Sequence, residues 1–143
     1  MLQQENAIET IRRNPKMYLP FGELRGDSLS TRLASDILSV STRAVGILQY
    51  ASWWIVASEE DWISKAQGEE NIDEYFKRIV PFPEGGVNAM HAEILLTAFA
   101  RKLITATPRA VCVSLIGSAP EEDLFVYVTR SLPKWKRLVA FQL

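Results

Sequence analysis

His91 and Cys112 are the only histidine and the only cysteine in 143 residues. A disulfide framework or cysteine-rich zinc site needs several cysteines, and a histidine metal cluster needs several histidines. His91 could act as a general base or touch a ligand from a loop; the plainer role is a cap or packed residue at a helix start. Cys112 lies between Val111 and Val113, where an inert, buried thiol is expected, because apolar burial raises a thiol pKa. The acidic runs Glu59-Glu60-Asp61 and Glu121-Glu122-Asp123 match no calcium-loop spacing and read as solubilising turns. Two basic clusters stand out: Arg12, Arg13 and Lys16, then Lys134, Lys136 and Arg137 with Trp135 among them. Such a pattern could grip phosphates and stack a base, or it is a solvated face with one packed ring. Tyr18, Trp53, Trp54 and Trp62 are interface candidates. Neighbouring strand residues point to opposite faces, so Trp53 or Trp54 faces away from the core unless a second layer covers it. No residue is assigned a catalytic or metal-binding role, and no cofactor is expected.

The whole chain sets the frame for these groups. Its net charge of −1 supplies no general field for coating DNA or an anionic membrane. An apolar share of 48% allows a real core and excludes wholesale disorder, and the length suits one domain, residues 1–143, with an arm over 1–27. Residues 1–14 lack the apolar segment of a signal peptide, and no window of about 18 apolar residues occurs. A cytoplasmic protein without a membrane span is expected.

Elements must position the candidate groups. A short helix is predicted over residues 3–13 and stopped by Asn14-Pro15. Residues 15–27 read as an ordered loop with Met17, Tyr18, Leu19 and Phe21 tucked against the body. Asp27 and Ser28 are candidate caps for a long helix. Leu29, Leu33, Ile37, Val40, Ala44 and Leu48 would form one face of it, to about Tyr50. Residues 53–58 and 62–64 read as a hairpin around the acidic turn 59–61. Ile72, Tyr75, Phe76 and Ile79 suggest a short helix, and residues 88–105 a second long one. A central strand is predicted over 110–116, another over 124–129 and a last one over 138–143. Strands that follow helices, rather than alternate with them, imply an α+β fold: a two-layer α/β sandwich with helices on one face of a mostly antiparallel sheet.

The segment Ile11-Arg12-Arg13-Asn14-Pro15-Lys16-Met17-Tyr18-Leu19 resembles the Arg-Lys-Arg-Pro-Gly-Met-Tyr-Ile opening of the ATPase domain in gyrase B-type topoisomerases, members of the GHKL superfamily. The order of elements is similar as well. Gly85-Gly86-Val87-Asn88-Ala89-Met90-His91 stands where the family carries its glycine-rich lid. The resemblance spans roughly residues 7–128 and implies a GHKL-like fold.

The departures decide what the resemblance implies for function. In the family the first long helix carries Glu-x-x-x-Asn: the Glu activates water and the Asn holds Mg²⁺. Here residues 29–50 contain neither, Asp36 is the only acid, and Val40 stands four residues on. The family's Asp-x-Gly-x-Gly, which receives the adenine, corresponds to Ile63-Ser64-Lys65-Ala66-Gln67-Gly68-Glu69, with one glycine and no Asp. Ala89 and His91 replace lid glycines that would expose backbone N–H groups to phosphate. Asp36, Gly68, Gly85, Gly86, Asn88 and His91 are thus remnants of a degenerate nucleotide pocket. The implied function is a non-catalytic module that binds a protein partner or a second copy of itself. A nucleotide-binding protein or weak ATPase with rearranged ligands is the alternative, and a nucleic-acid-associated accessory domain a second.

Overall fold

Residues Arg137–Gln142 are buried at every position, as only a strand covered on both faces can be. In the computed structural model, which describes residues 4–67, 71–77, 92–109 and 112–143, this segment is β5, the centre of the sheet. The other strands are β1 (Val45–Tyr50), β2 (Trp53–Ser58), β3 (Lys102–Ala106) and β4 (Val113–Ile116). Among the described residues five strands lie in the order β1-β2-β5-β3-β4, and every pairing among them is antiparallel. The helices are α1 (Gln4–Arg13), α2 (Pro15–Tyr18), α3 (Gly26–Leu38), α4 (Trp62–Gln67), α5 (Ile72–Lys77), α6 (Ala92–Phe99) and α7 (Glu122–Ser131).

The two-residue period of the strands sorts their side chains into two cores. Val56, Leu103, Val139 and Phe141 face the larger one, with Ile11 of α1, Leu33 and Ile37 of α3, Phe76 of α5 and Leu95 of α6. Ile55, Ala57, Ile104, Leu138 and Ala140 point the other way, onto Leu124 and Val128 of α7 and onto Trp135. The expected α+β layering of helices on an antiparallel sheet is present. α7 adds a smaller cover to the second face, and that cover buries Trp53. Among the described residues no helix is long and apolar enough to cross a membrane.

Several expected boundaries are corrected. α3 ends at Leu38 rather than near Tyr50. Ser39 donates its hydroxyl back to the Asp36 carbonyl (2.7 Å), a local bond that competes with the helical ladder. Residues 45–50 instead pair with β2, from Val45 opposite Ser58 to Tyr50 opposite Trp53. The hairpin therefore precedes the acidic turn, and its own turn includes Ala51 at φ 53°. Asp61 caps α4 by accepting the Ser64 N–H (3.1 Å) and hydroxyl (2.7 Å), so residues 62–64 are helical. α5 is the expected short helix, started by a reciprocal pair in which Asn71 accepts the Glu74 N–H and donates to its carboxylate; Ile79 lies outside the described residues.

α6 stops at Phe99, and the residues expected to extend it form β3; its expected start at 88–91 lies outside the described residues. β4 is an edge strand, not a central one, and half-buried Cys112 precedes it, its thiol pushed up by burial. Residues 124–129 belong to α7, whose first turn carries Glu122 and Asp123, charges favoured at a helix N-terminus. The last strand is as expected. In the arm, Leu19 is buried and Tyr18 half-buried, but Met17 and Phe21 are exposed rather than tucked in. Gly26 opens α3 directly against Trp54: a Cβ there would lie 2.0 Å from the indole nitrogen, so a side chain is excluded unless the ring moves.

Candidate functional site: an acidic, aromatic-walled cavity and an exposed arm

α3 and the turn after it, the loop after β2, α4, α5 and α6 line a partly open cavity of about 190 Å³. Its carboxyl groups are Asp36, Glu60 and Glu93; its rings are Trp62 and Tyr75; Val40, Ala66 and Lys65 complete the wall. Asp36 reaches the wall because it shares the inner face of α3 with Leu29 and Leu33, all buried. Its carboxylate accepts the Ala92 N–H (2.9 Å) at the start of α6 and the Arg32 guanidinium (3.3 Å). Burial pushes the Asp36 carboxyl above its ordinary range, against the pull of the Ala92 N–H and Arg32.

Glu93 stands in the first turn of α6 with 3% of its surface exposed. Its Oε2 accepts the Trp62 indole N–H (3.1 Å) and the Tyr75 hydroxyl (2.5 Å). Its Oε1 is buried and has no hydrogen-bond partner among the described residues. Glu60 accepts from Lys65 and from the Ser41 hydroxyl, and these hold its carboxyl below the usual range. Next to it, burial pushes the Asp61 carboxyl up, but hydrogen bonds from Arg137 and Ser64 outweigh that and leave it below the usual range. Among the described residues no three His, Cys, Asp or Glu side chains stand where they could hold a metal ion.

The expected site residues are dispersed. Asp36 and Trp62 meet at the cavity. Gly68, Gly85, Gly86, Asn88 and His91 lie outside the described residues. Trp53 and Trp62 are buried on opposite sides of the sheet and Trp54 is half-buried, so the tryptophans form no common outer surface. The second basic cluster also dissolves. Lys134 and Lys136 are exposed, but Trp135 and Arg137 are buried; Trp135 donates to Thr129 (3.0 Å) and Arg137 forks onto Asp61 (2.8 and 3.1 Å). In the first cluster Arg12 donates to the Ala98 carbonyl (2.7 Å), both arginines lie near Glu9, and Lys16 is exposed. Sequence reasoning passed over Glu93. The available signal was a lone carboxylate in the apolar run 92–99.

No family model, no curated protein and no solved structure matches this chain. Its chemistry is therefore read from its own geometry. Beside the cavity, the arm offers a different surface. Phe21 is 95% exposed and Met17 73%, and they flank a groove of about 500 Å³ whose far wall is α3, with Ser28, Thr31 and Arg32. Phe21 also holds φ at 56°, a left-handed backbone that is an outlier for a bulky side chain.

Proposed function

We propose that this chain is a non-catalytic relative of the gyrase B-type ATPase domains that works in the cytoplasm as a protein-binding module, with a second copy of itself as the partner seated on the arm. The observation that carries the reading is Phe21, presented to solvent from strained backbone beside an open groove. Strain of this kind costs about 1–3 kcal/mol and persists only where the surrounding structure holds it. Exposed aromatic rings anchor interfaces, and a knob beside a groove on one surface suits a two-fold arrangement in which each copy fills the other.

The ancestry is supported by the Pro-x-Met-Tyr segment and by the order helix, hairpin, short helices, helix and two antiparallel strands, after which α7 and β5 follow. The loss of catalysis is supported by the cavity. Where the family would place its carboxylate and amide, Asp36 is committed to Arg32 and Ala92, and Val40 follows. Three carboxyls in the wall oppose a triphosphate, and about 190 Å³ falls below the roughly 300–1,000 Å³ of pockets for drug-sized ligands. The nucleic-acid reading loses its stacking platform with Trp135 and Arg137 buried.

Sedimentation velocity across micromolar to near-millimolar protein tests the module. A concentration-dependent dimer is expected, and the double variant Met17→Ser, Phe21→Ser should shift its dissociation constant upward by at least tenfold while leaving the melting temperature of the monomer unchanged or higher. A chain that stays monomeric throughout, or a double variant that dimerises equally well, overturns the reading.

A further inference from the structure

The cavity carries more than a lost function. Each of its three carboxyl groups is compensated differently. Asp36 has Arg32 at 3.3 Å and Glu60 has Lys65 at 2.5 Å. Glu93, the most deeply buried of them, has no cationic partner among the described residues, and its Oε1 lacks even a hydrogen-bond donor there. A buried acceptor left unpaired loses its hydration with nothing in return, and natural cores rarely leave one without a reason. Glu93 is held in place rather than loose, because Trp62 and Tyr75 both donate to its other oxygen.

We infer that this cavity is a binding site for a small organic cation, an amidinium or primary ammonium group on a compact apolar body, with Glu93 as its counter-ion. Oε1 accepts an N–H from the cation. Trp62 and Tyr75 supply aromatic walls, which attract cations and pack against a flat ring. Val40 and Ala66 complete the lining with aliphatic surface for the apolar body. An engineered cavity of about 150 Å³ holds benzene, so about 190 Å³ fits a body of that size with one charged group. Neutral molecules of the same shape gain the walls but not the ion pair. The inference is independent of the arm.

Benzamidine is the probe. Titration calorimetry of the full chain at pH 7 and low salt should give saturable one-to-one binding, and the Trp62 indole N–H resonance should shift with the same midpoint. Glu93→Gln, which keeps an oxygen for Trp62 and Tyr75 but removes the charge, should weaken binding tenfold or more. Val40→Phe, which fills the cavity from its exposed rim without touching a hydrogen bond, should do the same and covers the case in which the first variant misfolds. Benzyl alcohol, the neutral counterpart, should bind at least tenfold more weakly than benzamidine. No saturable binding to the parent chain, equal affinity for benzyl alcohol, or undiminished binding by a folded variant would each overturn the assignment.

Discussion

Replacing Arg137 with alanine is expected to cost about 3 kcal/mol of folding stability, read as a lower midpoint in urea denaturation at pH 7. Arg137 is buried at the start of β5, and its guanidinium makes a forked contact with Asp61 at 2.8 and 3.1 Å and further bonds to Thr105 (3.2 Å) and Ser64 (3.3 Å). Removing one partner of a buried pair typically costs about 3–5 kcal/mol, because the other charge is left uncompensated. The low end applies here, since Asp61 keeps 25% of its side chain exposed. The pair also sets a pH dependence. The Asp61 carboxyl is held below its ordinary value in the folded chain, so its contribution is complete above about pH 4, the ordinary aspartate range, and is lost as pH falls through the depressed value. The stability gap between parent and Arg137→Ala should therefore be constant from pH 7 to about pH 4 and narrow in stronger acid. A gap under about 1 kcal/mol at pH 7 would return Arg137 to the exposed basic face that its sequence neighbours suggest.

Phe141→Ala is expected to cost about 3–5 kcal/mol, the usual loss for a fully buried ring. Phe141 is 0% exposed, sits on the central strand opposite Trp54 and Leu103, and faces the larger core. The space it leaves is bounded by strands on both sides, which limits collapse. Val126→Ala, at 49% exposure on α7, is the matched control and should change stability by less than about 0.5 kcal/mol. The comparison decides a structural question as well. If residues 124–129 were a strand burying every second side chain, Val126 would sit with Leu124 and Val128 in the core, and its truncation would be costly.

The same ambiguity explains which elements were legible in the sequence. A spacing of four belongs both to a helix face and to every second pair of strand residues. Ala44 and Leu48 continue the rhythm of Leu29, Leu33 and Ile37, yet Leu48 lies in β1 after the Ser39 stop. Leu124, Val126 and Val128 fit a two-residue period, but only Leu124 and Val128 are buried, which is the helical answer. Where local chemistry was unambiguous the reading held: Pro15 after α1, the Ile72, Tyr75 and Phe76 spacing of α5, and the apolar run that becomes β5. Half of the site was visible. Asp36 stood out as the sole acid on its helix face. Glu93 was hidden because its position is apolar by pattern and charged by type, a conflict that local rules cannot resolve but a cavity can. Asp61 and Arg137, 76 residues apart, read as separate surface charges until the fold paired them.

Under the proposed function the cavity does not hold a triphosphate. Titration calorimetry of the full chain with ATP and Mg²⁺ tests it most directly. No saturable heat is expected up to millimolar nucleotide; saturable binding in the micromolar range, abolished in a folded Asp36→Asn variant, would overturn the proposal.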